Sequence, residues 1–429
     1  MYDWGNSAYN LVITSTIFPV YYNAVTTVKS ADGKTILSDE VVLFGHSFHN
    51  TALSNYTLAL AYAIVVLLSP ILSSIADLKG NKKRFMQLFT YVGSLACCGL
   101  FFFDSSSIGL GLACFMLAAI GYCGSLVFYN SYLPEIATDE EQDRVSAKGF
   151  ALGYIGSVLL QVVCFTFFFF PEWYGLPKGS DGLAARISFL LVGLWWMGFA
   201  QIPFLKLPKG TARIKDATHG ILSNGFHELR KVAKQLASMP VLKTYLGAFF
   251  LYSMGVQTVM LAAANFGAKE LQLASEQLII TILLIQIVAV AGAYLMARLS
   301  GRFGNLSVLL LVVALWIGIC IAAYFTYTAT QFYILAAIVG LVMGGIQSLS
   351  RSTYAKLMPE TPDTTSFFSF YDVTEKLAIV IGIFTFGAIE DATGSMRNSI
   401  VMLIVFFVAG AVLLYLARRK ERLIGQFAN

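Results

Sequence analysis

Three charged residues stand inside an otherwise apolar stretch near the C-terminus: Asp372, Glu375 and Lys376 in SFYDVTEKLAIV. Asp372 and Lys376 are four apart with the acid N-terminal, the favourable order for an ion pair on one helix face, and Glu375 lies three from Asp372. A bare charge near a bilayer centre costs about 3 kcal/mol on insertion scales, so the three cannot all face lipid. Either Lys376 snorkels to water at an interface, or it faces a polar path and exchanges its carboxylate partners for the carboxylate of a solute. In the second reading Asp372 and Glu375 are coupling candidates. Glu375 is then the expected proton-binding group, because it is left a desolvated anion when Lys376 swings away.

Other polar groups recur where a solute path would need them. Asp3, Asn6, Ser7, Asn10 and Thr14 fall at intervals of three and four, one stripe on a helix that is otherwise apolar. Gln161, Gln257 and Gln286 lie in the bodies of three further apolar runs. Asn6, Asn10, Gln161, Gln257, Gln286 and Lys376 are therefore the substrate-path candidates. The alternative for each amide is a hydrogen bond across a helix interface, worth about 1 kcal/mol. His46 and His49, with Asp39 and Glu40 upstream, read as solvated loop residues rather than a metal site, and His227-Glu228 lacks the second histidine of a zincin. The six cysteines fall inside apolar runs without paired spacing. No Walker loop, nucleophile elbow or paired catalytic carboxylates occur, so neither cofactor nor metal is expected, nor an enzyme or an ATP-driven pump.

The elements that must position these residues follow from composition. The chain has 429 residues, 57% hydrophobic and 12% charged, about half the charge of a soluble domain. On the template of about 20 mostly apolar residues, twelve spans are expected, near 6–26, 54–75, 85–104, 108–130, 148–171, 184–206, 241–265, 277–299, 305–326, 330–352, 368–389 and 398–418. The spacing predicts an all-α membrane protein, twelve transmembrane helices in two six-helix bundles. The halves, 1–206 and 241–429, flank a polar linker, 207–240, with Leu222, Phe226, Leu229, Val232, Ala233 and Leu236 at amphipathic spacing. Of the 29 Lys and Arg, 22 fall in loops on the linker's side, six on the other, and Lys376 within a span. The bias places the linker and both termini in the cytoplasm, in a multi-pass protein of the cell (inner or plasma) membrane. The opening MYDWGNSAYN shows no basic leader, and a short tail before Met1 would fit. On the opposite side, the loop Thr27 to Leu53 carries Asp32-Gly33, expected to turn a hairpin over the mouth or to form an irregular loop. The net charge of +5 reports topology, and no nucleic-acid partner is implied. The expected partners are a small-molecule substrate and the lipid bilayer, with the chain acting as a monomer.

After the second span, SSIADLKGNKKR (Ser73 to Arg84) resembles the loop motif of the major facilitator superfamily. Asp77, Gly80, Lys82 and Lys83 match it, whereas Ser73, Leu78 and Asn81 depart from it. The resemblance implies a conformational loop, with Asp77 docking near the start of the eleventh span. The corresponding place in the second half, ARLSGRFGN (Ala297 to Asn305), keeps Arg302 and Gly304 but has Gly301 where the acid would be. YDWGNSAYNLVITSTIFPVYY, YLGAFFLYSMGVQTVM and FFSFYDVTEKLA are similar to the vacuole-effluxer-like branch, named for a fungal autophagy-related protein that releases amino acids from vacuoles. Many relatives have Asp-Gly where this chain has Met254-Gly255, so no role for an acid carries over there. What the resemblance implies is a secondary transporter moving a small polar solute, amino acids by efflux, through alternating access. The rival readings are a non-transporting membrane scaffold or receptor, or a membrane-embedded transferase.

Overall fold

The computed structural model describes residues 1–29, 36–43, 45–177, 179–210 and 221–428. Nearly all of them are helical, because a chain this apolar can satisfy its backbone in a membrane only within helices. The first span is built in three pieces: α1 (Tyr2–Ala8), a π-helical stretch (Tyr9–Ile17) and α2 (Phe18–Thr26). In the middle piece the Phe18 amide donates to the Ile13 carbonyl five residues back. The Ser15 and Thr16 hydroxyls likewise donate to Asn10 and Leu11 carbonyls. Val12, Ile13, Thr14, Thr16 and Ile17 are β-branched and crowd the preceding turn of an α-helix, which wider winding relieves.

Two small antiparallel pairs follow, β1 (Val28–Lys29) with β2 (Ile36–Ser38), and β3 (Glu40–Leu43) with β4 (His46–His49). The turn expected at Asp32-Gly33 lies outside the described residues. The remaining helices are α3 (Asn50–Lys79), α4 (Lys82–Gly99), α5 (Ile108–Asn130), the short α6 (Leu133–Ile136), α7 (Asp139–Phe169), α8 (Asp181–Lys206), α9 (Ile221–Ser238), α10 (Pro240–Glu270), α11 (Ser275–Phe303), α12 (Asn305–Tyr324), α13 (Ala329–Leu357), α14 (Thr364–Thr393) and α15 (Met396–Ala428).

Among the described residues ten helices are long and apolar enough to cross a membrane. The other two of the twelve expected spans are helical but differ for readable reasons. One is the three-piece first span. The other is α14, in which every 18-residue stretch contains at least three charged residues. The observed helices also run past the apolar template: the span expected at 148–171 begins at Asp139. Polar helical turns beyond the apolar stretch carry no hydropathy signal.

The chain divides into two compact units. The first comprises Met1–Leu68, Lys83–Leu126 and Ile155–Lys209. Its core is aromatic, with Phe18 stacked on Phe115 at 4.0 Å and Trp195 Nε1 donating to the Trp4 carbonyl at 3.0 Å. The second comprises Ser69–Lys82, Val127–Tyr154 and Gly210–Asn429. It therefore carries the ends of α3, α5 and α7 together with α9 to α15. Within it α11 and α13 touch backbone to backbone, since a Cβ on Gly344 would collide with the Ala289 carbonyl and one on Gly292 with that of Leu341. The glycines of the tenth span thus serve close helix packing, the small-xxx-small arrangement of Gly340 and Gly344. The amphipathic α9 packs on α10 and α14 and buries Val232, while Phe226 stays exposed.

Candidate functional site

The second unit holds a charged cluster on α14. Lys376 does not snorkel: its side chain is 5% exposed, and its ammonium lies 2.8 Å from Glu375 Oε2 and 3.2 Å from Asp372 Oδ1. Gln257 of α10 donates from Nε2 to Glu375 Oε1 at 3.3 Å. Of the sequence candidates, Asp372, Glu375, Lys376 and Gln257 are thus brought together. Tyr252 and Tyr371 lie within electrostatic reach of Glu375. Tyr245 OH donates to the Ser350 carbonyl at 2.8 Å, Tyr252 OH shares 2.7 Å with Ser350 Oγ, and Tyr371 stacks on Phe249 at 4.2 Å. Asp372 is buried, and its Oδ2 accepts no hydrogen bond among the described residues. Two carboxylates against one ammonium leave the ionised cluster one negative charge, with an acceptor to spare. Such a set can hold an ammonium at a carboxylate and a carboxylate at Lys376, which are the two ends of an amino acid.

A second set of contacts, also within this unit, fastens the ends of α3, α5 and α7 to the later helices. Asp77 Oδ2 accepts from the Ser366 amide and hydroxyl, each at 2.7 Å, and Oδ1 from the Thr365 amide at 3.3 Å. These are among the amides a helix start leaves unpaired, and α14 has no side-chain cap of its own. Asp77 caps it from 288 residues away. The turn that aims this carboxylate closes through Gly80 at φ +60°, the left-handed position where a Cβ is strained. Lys82 pairs with Glu135 and lies over the Tyr132 ring at 4.0 Å, while Thr364 Oγ1 donates to Glu135 Oε1 at 2.9 Å. Lys83 belongs to the other unit, where it donates to the Leu207 carbonyl at 2.8 Å.

The equivalent place in the second half of the sequence is fastened with the charges exchanged. The loop after α11 lacks an acid, and α7 supplies it. Asp143 accepts from Ser300 Oγ at 2.8 Å, Asn305 Nδ2 at 2.7 Å and Lys356 Nζ at 2.6 Å. Beside it the Arg351 guanidinium donates to Ser146 Oγ and its carbonyl, both at 3.0 Å, and to Asn130 Oδ1 at 3.2 Å. It also covers the Phe150 ring at 4.4 Å. Tyr154 OH donates to Gln347 Oε1 at 2.6 Å. Glu135, Asp143 and Arg351 were not among the sequence candidates. The one available signal was the gap at Gly301, an acid missing from a loop that keeps the rest of its pattern.

The remaining candidates are dispersed. In the first unit Gln161 accepts from Thr16 Oγ1 at 2.8 Å, and Asn6 is buried with Nδ2 unpaired among the described residues. Asn10 is exposed. The expected single polar stripe is not kept, because it assumed α-helical winding throughout and the π-helical stretch begins at Tyr9. Gln286, in the second unit, has an unpaired Oε1 and makes no hydrogen bond to the α14 cluster among the described residues.

The sequence matches the family described as "Vacuole effluxer Atg22 like" over residues 1–422. The chain belongs to that family. A relative from Bacillus subtilis (strain 168), "Uncharacterized MFS-type transporter YxiO", is 33% identical over 96% of this chain and 92% of its own length. "Autophagy-related protein 22" of Eremothecium gossypii is 26% identical over 82% of this chain and 75% of its own. Among solved structures, the transporter FucP in its outward conformation matches with a TM-score of 0.70 at 12% identity, covering 97% of both chains. The human organic anion transporter MFSD10 (TETRAN) matches at 0.68 and 12%, over 96% of this chain and 98% of that one. This Atg22-like chain is a multi-pass membrane transporter of the major facilitator type and not an enzyme.

Proposed function

We propose that the protein moves amino acids out of the cell by alternating access, with both termini and the linker 207–240 in the cytoplasm of a bacterial cell. The observation that carries this reading is the buried Asp372–Lys376–Glu375 cluster with Gln257 at its edge. A cation held between two carboxylates can release one to take up the carboxylate of a solute, while a carboxylate takes the ammonium. That exchange supplies the differential contacts by which a solute shifts a two-state equilibrium. The contacts of Asp77, Lys82, Asp143 and Arg351 then close the cytoplasmic side and part when it opens. The linker charge supports this orientation, and the fungal relatives' name supports export. Purified protein in liposomes loaded with unlabelled amino acids should accumulate labelled amino acid by counterflow. A scaffold or receptor would bind without accumulating label, and that result would sink the reading.

A further inference from the structure

The two carboxylates of the α14 cluster are not equivalent. Glu375 has both oxygens engaged, Oε1 by Gln257 and Oε2 by Lys376, and its side chain is 24% exposed. Asp372 is 2% exposed, touches Lys376 only through Oδ1, and leaves Oδ2 without a donor among the described residues. A buried, ionised oxygen without a donor bears the full loss of its hydration. It is stable only when something positive sits on it. Among the described residues the neighbouring elements place no further donor on that oxygen. On α10, Tyr245 and Tyr252 are hydroxyls committed to Ser350. On α13, Tyr354 donates to the Phe367 carbonyl, and Arg351 faces Ser146 and Asn130. Further along the packed helices, Lys269 pairs with Glu390, Arg397 of α15 with Glu270, and Lys231 of α9 with Glu228. On α14 itself Lys376 is already shared between Asp372 and Glu375, and Tyr371 lies against Phe249.

We propose that Asp372 Oδ2 takes a proton and the ammonium group of the solute by turns, so that the transporter exchanges protons for amino acids. The proposal rests on the amino-acid reading above and places coupling on Asp372 rather than Glu375. When an amino acid arrives, the Asp372 O–H bond breaks and its proton leaves to water. An N–H of the ammonium then donates to the vacated oxygen, and no electrons are transferred. The solute carboxylate meets Lys376, which leaves Glu375 hydrated and bonded to Gln257. Proton and ammonium exclude each other because both need the same oxygen. Obligatory exchange follows: the empty carrier reorients only with that oxygen neutralised. A zwitterion carries no net charge, so each cycle also moves the proton's charge across the membrane.

The test uses purified full-length protein and the common L-amino acids in lightly buffered solution with a pH indicator. Binding should release a proton, and affinity should weaken by about tenfold for each unit of falling pH once the carboxyl is protonated. Asp372→Asn should bind far more weakly, with neither proton release nor pH dependence, whereas Glu375→Gln should still release. In liposomes an inward proton gradient should drive amino acid out. Binding and counterflow without proton release or pH dependence would overturn this proposal and leave the transport reading standing. Absence of binding and counterflow would overturn both. Should Asp372→Asn fail to fold, the Glu375→Gln protein decides: retained release supports Asp372, lost release refutes it.

Discussion

Replacing Asp77 by Asn changes one carboxylate for an amide of the same shape, and its effect follows from three hydrogen bonds. Two are at 2.7 Å, from the Ser366 amide and hydroxyl, and one at 3.3 Å from the Thr365 amide. Bonds to an ionised acceptor contribute about 1.5–3 kcal/mol each, and neutral ones about 1. The Asn carbonyl can keep the Ser366 contacts at neutral strength, but its NH2 then faces the Thr365 N–H, donor against donor. The loss of charge at a helix N-terminus adds up to about 1 kcal/mol. The low end of these ranges gives a net cost of about 2–3 kcal/mol, a roughly 30–150-fold shift toward the state in which Asp77 has left α14. Ser352 reports that state. It is fully buried on α13, and among the described residues its hydroxyl bonds its own helix, at the Ser348 and Leu349 carbonyls. In a background without the native cysteines, a maleimide should modify Ser352→Cys faster by that factor when Asp77→Asn is also present. Transport should slow while melting changes little. Unaltered labelling with a clearly lowered Tm would mean that Asp77 is only a cap needed for folding.

Lys376→Ala should abolish counterflow and Lys376→Arg retain part of it, because a guanidinium still bridges carboxylates; full activity in the alanine protein reduces the cluster to a structural ion pair. Asp143→Asn should cost about 1–3 kcal/mol, and adding Lys356→Met should cost less than it does alone, since the two share one network; additive losses in a double-mutant cycle of Tm would separate them. Reporter fusions at Lys34 and Lys215 should give opposite sidedness, and equal sidedness would discard the proposed orientation.

What could be read in the sequence was what depends on neighbours along the chain. The length of apolar runs located the membrane-spanning helices, with ends missed by up to nine residues at Asp139 and ten at Ala428, and the spacing of Asp372, Glu375 and Lys376 placed a mixed-charge triad on one helix. The Asp77 turn was legible because its chemistry is local, a carboxylate ahead of a glycine that can adopt positive φ, although the amides it caps come from α14. The winding of the first span was not legible, since a hydropathy period assumes the helix type it is used to infer. Nor was the role of Asp143, an acid among four others between Glu135 and Asp143. Its partners Ser300 and Asn305 lie 157 and 162 residues further on. Only folding tells it apart from Asp139, Glu140 and Glu141 of the same acidic turn.

The exchange of charge between the two fastenings bears on how a duplicated architecture stays asymmetric. In one, the acid lies in the last turn of α3 and the amides and hydroxyl that meet it head α14; in the other, hydroxyl and amide lie around the loop after α11 and the acid lies in the first turns of α7. A protein assembled from two copies of the first half would set Asp77 against Asp143, acid on acid. Two copies of the second would set Ser300 and Asn305 against Thr365 and Ser366, with no acid at all. Each half recognises its counterpart and rejects itself.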